Sequence, residues 1–102
     1  MNHRYKVRYL PLFEEDLREI VLYISQKLKN SQAAEELVNK VEEAIWKRSY
    51  NPLSFEVFIS VKDRQHRYYR IYVKNYTIYY VVIGDIMEVR RILYKYSNKY
   101  KS

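Results

Sequence analysis

The stretch from Lys62 to the end of the sequence combines two residue types that suit a polyanion, basic side chains and tyrosines. Ten Lys and Arg stand there against three acids, and their net charge of +7 equals that of the whole chain. Nine of the thirteen tyrosines lie in the same stretch. Cations bind phosphates and aromatic rings stack on bases, so the pattern favours a nucleic-acid-binding surface. The cations are Lys62, Arg64, Arg67, Arg70, Lys74, Arg90, Arg91, Lys95, Lys99 and Lys101.

A plainer interpretation of the same residues is packing and solubility. Tyrosines at every second position often fill a core or its rim, and exposed Lys and Arg keep small proteins soluble. The basic charge is segregated, however, because residues 11–50 carry eight acids and only six cations. This asymmetry favours a binding surface over the plainer interpretation.

The basic stretch is predicted to form an antiparallel meander of three strands. Residues 66–73, 76–83 and 86–96 are rich in β-branched and aromatic side chains, which pack well on a pleated surface. The breaks between them are Lys74-Asn75 and Gly84-Asp85. Glycine adopts the positive φ that a two-residue hairpin requires, and Asn tolerates the left-handed region.

The preceding residues predict one more strand and two helices. Arg4–Leu10 alternates as a half-buried strand does, and apolar residues recur at helical spacing from Leu12 to Leu28. A second helix should run from an N-cap at Ser31 to about Ser49, and residues 53–65 form either a short strand or a loop with apolar anchors. The predicted fold is α+β with the order β-αα-βββ, in which a helical hairpin packs on a mainly antiparallel four-stranded sheet. Residues 1–102 are predicted to form a single domain.

Composition argues against several kinds of site. The chain has no cysteine, so disulfides, thiolate metal sites and cysteine nucleophiles are excluded. Only His3 and His66 could ligate zinc through imidazole, and a single glycine leaves no Gly-rich phosphate loop. We therefore expect neither a metal nor a cofactor. No apolar run approaches the ~20 residues of a membrane span, and no signal segment is recognisable, so we expect a cytoplasmic protein that is not bound to a membrane.

Several short motifs occur in the order and spacing of a known family. In chain order they are the motif of the opening strand, an acid-Asp-Leu pattern in the first helix, two short motifs in the second helix and at its end, and three strand motifs. The segments are Tyr5–Tyr9, Glu15–Ile24, Ala33–Glu35, Asn51-Pro52, Arg70–Val73, Asn75–Tyr80 and Arg91–Tyr94. Over about 90 residues the chain resembles the RelE/ParE superfamily of toxins from bacterial and archaeal toxin–antitoxin modules.

This resemblance implies one of two activities. Endonuclease members of the superfamily enter the ribosomal decoding site and cut mRNA without a metal, because the 2′-hydroxyl of the message attacks the neighbouring phosphorus. Other members are not catalytic and poison DNA gyrase through protein contacts. A cognate antitoxin with an acidic toxin-binding segment would neutralise either kind. The basic, tyrosine-rich sheet suits RNA and favours cleavage of mRNA on the ribosome; gyrase inhibition and an RNA-binding module without cleavage are the alternatives.

The resemblance also implies positions for a catalytic site, namely Arg70, Lys95 and Tyr96. Arg70 takes the strand position at which endonuclease members place a cation against the phosphate, and the other two match a basic or His group followed by Tyr. An RNA-binding surface would add Lys62, Arg64, Arg67, Lys74 and Tyr100. Two positions depart from the pattern: Thr77 stands where both branches usually have Arg, and Tyr94 replaces a common His. The departure at Thr77 favours a gyrase-directed or degenerate toxin.

Overall fold

The computed structural model describes residues 3–59, 63 and 65–96 and confirms the predicted α+β fold. In chain order the elements are β1 (Lys6–Tyr9), α1 (Pro11–Leu22), a π-helical turn (Tyr23–Lys27), α2 (Ser31–Arg48), β2 (Tyr69–Val73), β3 (Tyr76–Ile83) and β4 (Ile86–Tyr94). None of the helices in these residues has the length and apolar character needed to cross a membrane. Three predicted binding residues lie outside the described residues: Lys62, Arg64 and Tyr100.

The four strands form one sheet in the order β1-β4-β3-β2. Strands β2, β3 and β4 are the predicted antiparallel meander, whereas β1 pairs with β4 in parallel. The long connection that a parallel pair requires consists here of the helical hairpin followed by β2 and β3. In the β2–β3 turn the left-handed residue is Lys74 (φ 53°) and not Asn75, so the expected role of Asn75 was wrong. Gly84 takes φ 62° in the β3–β4 turn, as predicted.

The core lies between the helical hairpin and one face of the sheet. Helix α2 contributes Leu37, Val41 and Ile45, which are spaced four residues apart and are at most 2% exposed. They pack with buried sheet residues that include Ile78 and Ile92. Three of the tyrosines, Tyr69, Tyr76 and Tyr80, belong to this helix-covered face, so part of the tyrosine-rich pattern does serve packing.

The helix boundaries differ from the predictions at three points. Helix α1 begins with Pro11 at its first position, where the missing N–H has no intrahelical partner to lose. The predicted helix to Leu28 ends as a π-helical turn, in which the Leu28 N–H donates to the Tyr23 carbonyl at 3.1 Å. The N-cap of α2 is Asn30 and not Ser31, because the Asn30 Oδ1 accepts the Ala33 N–H at 3.0 Å.

One buried carboxylate fastens α1 to β4. The Arg91 guanidinium donates to both oxygens of Asp16, from Nε at 2.7 Å and from Nη2 at 2.8 Å. The same carboxylate accepts the Ile92 N–H at 3.2 Å. Strand β1 ends at Tyr9, which lies opposite Val89, so the part of β4 after Val89 has no strand on this side. Asp16 accepts the Ile92 N–H, which would otherwise lack a partner strand.

We expect the substitution Asp16→Ala to destabilise the fold strongly. It would remove the carboxylate that neutralises Arg91 and the acceptor of the Ile92 N–H, and breaking a buried ion pair costs about 3–5 kcal/mol. Urea denaturation would measure the free energy of unfolding. Glu15→Ala is the control, since Glu15 is an exposed acid on the same helix and its loss should cost no more than about 0.5 kcal/mol. Equal stabilities of the two variants would contradict this role for Asp16.

Candidate functional site

The sheet face turned away from the helices, here called the outer face, holds one of the predicted catalytic residues, Arg70, among other charged and aromatic side chains. Alternation along the strands places on it Arg8, Tyr68, Arg70, Tyr72, Thr77, Tyr79, Glu88 and Arg90. The segment before β2 lies against part of this face: Phe58 pairs with Tyr68 and packs against the Tyr79 ring at 6.1 Å between centroids. The rest of the face contains the candidate site.

The guanidinium groups at the β1 side of the outer face already have carboxylate partners. Glu88, only 5% exposed, accepts from Arg8 Nη2 at 2.6 Å and from Arg90 Nε at 2.8 Å. Arg90 also donates to Asp63 Oδ2 and to the Tyr68 hydroxyl, both at 3.2 Å. The basic charge of this half of the face is therefore largely neutralised within the protein. Sequence reasoning missed this network, because residue types alone do not pair Arg8 with an acid 80 positions later.

Arg70 lies on edge strand β2, and its side chain is 28% exposed. Its guanidinium stacks over the Phe58 ring at 4.8 Å from the centroid and lies 3.8 Å from the exposed carboxylate of Glu56. The Arg70 carbonyl accepts a hydrogen bond from Arg48 Nη1 at 3.0 Å, which ties the edge strand to the end of α2. The guanidinium of Arg70 is thus held in position but remains partly open to a ligand.

Lys95 and Tyr96 follow directly after β4, at the end of the sheet beside the β2–β3 turn. The Lys95 N–H donates to the Asn75 carbonyl at 2.8 Å, which continues the β3–β4 register. The Lys95 ammonium lies 5.0 Å from the centroid of the Tyr96 ring, and Tyr96 is 65% exposed. Tyr94 packs edge-on against both Tyr76 and Tyr96, so the position that replaces a His belongs to a row of three tyrosines.

The strand register separates Arg70 from Lys95. Arg70 pairs with Tyr79, which pairs with Arg91, and Lys95 lies four residues beyond Arg91. Standard strand spacings place the two Cα atoms about 16 Å apart, so the backbone of Arg70 is well separated from the contacting pair Lys95 and Tyr96. Thr77 lies between their rows and is 5% exposed. The remaining predicted binders in the described residues, Arg67 and Lys74, are exposed in the segment before β2 and in the β2–β3 turn.

The shifted pKa values on the outer face and in the core beneath it reflect stabilised carboxylates and buried phenols. None of them identifies a catalytic base. Burial by itself raises the pKa of the Glu88 carboxyl, but hydrogen bonds from Arg8 and Arg90 outweigh it and hold that pKa below its ordinary value of 4.5. The hydrogen bond from the Tyr68 hydroxyl lowers the pKa of Asp63. Burial raises the pKa of Tyr68 and of Tyr80, so both phenols stay protonated at neutral pH.

The lowered pKa of Glu88 predicts a pH-dependent loss of stability in acid. Because the folded-state pKa lies below the unfolded-state value, the contribution is complete above about pH 4.5 and disappears as the pH falls through the folded pKa. Urea midpoints between about pH 7 and about pH 3 would show a steeper acid loss for the wild type than for Glu88→Gln, which cannot ionise at this position. Parallel profiles for the two proteins would contradict the proposed coupling.

Comparison with known proteins identifies relatives of this chain. A family model described as the ParE toxin of the type II toxin–antitoxin system parDE matches residues 7–96. Among solved structures, a chain of the RelB–RelE antitoxin–toxin complex from Methanococcus jannaschii is 28% identical, over 86% of this chain and 89% of that chain, with a TM-score of 0.47. No curated protein matches. The family match confirms the resemblance that the motifs indicated.

Proposed function

Because the chain belongs to the ParE toxin family of type II toxin–antitoxin systems, we propose that it arrests growth by inhibiting DNA gyrase through protein contacts. In this proposal the toxin acts in the cytoplasm and needs no cofactor. A cognate antitoxin with an acidic toxin-binding segment holds it inactive. The toxin assignment follows from the family, and the geometry of the outer face supports the choice of gyrase over mRNA.

The observation that carries this choice is the separation of the residues needed to cut RNA. Metal-independent cleavage requires an acid and a base within hydrogen-bond reach of the reacting groups, about 3 Å, and cations against the phosphorane. Arg70 and Lys95 lie about 16 Å apart at the backbone, as judged from strand spacings. The position between them is Thr77, which supplies no charge. A toxin that acts through protein contacts does not require these side chains to converge.

The ion pairs of the outer face support the same choice. Arg90 binds Glu88 and Arg91 binds Asp16, so two arginines of the basic stretch are committed to carboxylates, and Arg8 also binds Glu88. A nucleic acid would have to displace these partners, which costs part of the binding free energy. With these arginines paired, the outer face is less suited to binding a polyanion than the net charge of +7 suggests.

Cleavage of mRNA remains the second candidate, and one observation favours it. Arg70 and Lys95 both have long, partly open side chains and lie on opposite sides of Thr77. A phosphate bound above Thr77 would lie between these two cations. The exposed Arg67 and Lys74 would extend such a surface.

The gyrase proposal predicts that the purified toxin inhibits supercoiling of relaxed plasmid by gyrase. Cells that express it should accumulate double-strand DNA breaks, while mRNA ends mapped on stalled ribosomes stay as in uninduced cells. A supercoiling assay with a toxin titration measures the first effect directly. A plasmid relaxed by an unrelated topoisomerase is the control, because inhibition there would indicate general DNA binding.

The opposite results would support the second candidate. New mRNA ends with wild-type toxin, which disappear with Arg70→Ala or Tyr96→Phe but persist with Tyr72→Phe, would replace the gyrase proposal with RNA cleavage. The Tyr72 variant is the matched control, since Tyr72 is an exposed tyrosine outside the predicted catalytic set. RNA binding without toxicity would instead identify a binding module.

A further inference from the structure

The segment between α2 and β2 exposes a run of apolar side chains. Within residues 53–59, every second residue is apolar and between 37% and 61% exposed. Single exposed apolar side chains are ordinary, but a run of them on a small domain marks an interaction surface. The four residues, here called the apolar ridge, are Leu53, Phe55, Val57 and Ile59.

The residues between them point to the opposite side of the segment. The Glu56 carboxylate lies 3.8 Å from the Arg70 guanidinium, and the same guanidinium stacks over the Phe58 ring. Successive side chains of an extended chain point in opposite directions, so Val57 and Ile59 are turned away from the outer face of the sheet. The polar and packing contacts of the segment thus use one side, and the ridge occupies the other.

The backbone of the segment is fixed at both ends. Before the ridge, Pro52 is fully buried, and its carbonyl accepts the Tyr80 hydroxyl at 2.7 Å. Towards its end, Phe58 and Tyr68 exchange two backbone hydrogen bonds, at 2.6 and 2.8 Å. Exposed side chains on a backbone that is already fixed lose little conformational freedom when a partner covers them. The ridge is therefore preorganised for binding.

Two arginines flank the ridge. The Arg48 guanidinium lies over the Phe55 ring, 3.4 Å from its centroid. The bridge at the other end places Ile59 opposite the exposed Arg67. Within the described ranges, neither arginine lies within 4.0 Å of a carboxylate. The ridge thus combines apolar anchors with positive charge that the described part of the protein leaves without an acidic partner.

We propose that the apolar ridge is the surface through which the toxin contacts gyrase, where it fits an apolar cleft rimmed by carboxylates. The apolar side chains insert into the cleft, and Arg48 and Arg67 lie against the acidic rim. The identity of the partner rests on the proposed function, whereas the location of the surface rests on the ridge.

The chemistry of the ridge favours an acidic protein over other occupants. A second copy of this chain would bring another net charge of +7 towards the two arginines, which opposes self-association. A nucleic acid would bind the arginines but would leave Leu53, Val57 and Ile59 against a polar sugar–phosphate backbone. A protein that offers both apolar side chains and carboxylates matches all parts of the ridge.

The test measures the affinity of full-length toxin variants for purified gyrase in the absence of DNA. The ridge variant combines Val57→Ala with Ile59→Ala, and the control combines Leu12→Ala with Leu22→Ala, a similarly exposed pair on α1. A biosensor titration should give a Kd at least about tenfold higher for the ridge variant, as expected when two interface anchors are lost. The control should bind within about twofold of the wild type. Thermal unfolding temperatures equal to that of the wild type would establish that both variants are folded.

A second pair of variants tests the charge beside the ridge. Arg67→Glu should weaken gyrase binding and reduce its dependence on salt, because it removes a cation from the acidic rim of the partner. Lys40→Glu changes the net charge equally at an exposed position on α2 and should alter both properties much less. Equal effects of the two substitutions would show that only overall charge matters and would contradict the placement of Arg67 at the interface.

The outcomes separate this inference from the proposed function. A wild-type toxin that neither binds nor inhibits gyrase overturns both. A wild type that inhibits gyrase, with a ridge variant that binds gyrase as the control does, overturns the ridge alone. The inference also fails if the ridge variant keeps its affinity for gyrase but loses binding to the product of the neighbouring reading frame. It fails equally if the ridge variant keeps that affinity while abolishing a dimer that the wild type forms in sedimentation, since the ridge would then cover a second copy.

Discussion

The arrangement of this molecule depends on the buried carboxylate of Asp16, which joins the first helix to the last strand. It binds the Arg91 guanidinium through two hydrogen bonds and also accepts a backbone N–H of β4. Strand β1 is only four residues long, so the second half of β4 pairs with β3 on one side but has no strand on the side of β1. Asp16 fills part of that gap, and it thereby sets the position of α1 against β4 and the direction of the Arg91 side chain.

A β-bulge in β4 divides two adjacent arginines between different partners. The register shift opposite Tyr79 and Tyr80 inserts one extra residue, Arg90, into the strand. Arg90 then binds Glu88 and Asp63 on the outer face, while Arg91 reaches Asp16 on α1. The sequence pair Arg90-Arg91 thus contributes to two ion-pair networks and leaves little free charge at the centre of the sheet.

Several lysines of the described residues, by contrast, have no carboxylate within 4.0 Å, among them Lys6, Lys40, Lys74 and Lys95. They belong to different parts of the fold, so the unpaired positive charge is spread over its surface. Arg70 differs from them, because its guanidinium is partly open yet stacked on Phe58 and close to Glu56.

The sequence by itself determined the local elements and the family. Helical spacing predicted both helices, alternation predicted the strands, and Gly84 predicted the tight β3–β4 turn, because these features depend on residues that are close in the chain. Only the tertiary structure decided the parallel pairing of β1 with β4, the partners of the arginines and the separation of Arg70 from Lys95. The β1–β4 pairing and the ion pairs Arg8–Glu88 and Arg91–Asp16 join residues about 75 to 80 positions apart, and no local periodicity encodes such contacts. The π-helical turn and the left-handed Lys74 were likewise set by packing and turn closure, which override the conformational preferences of single residues.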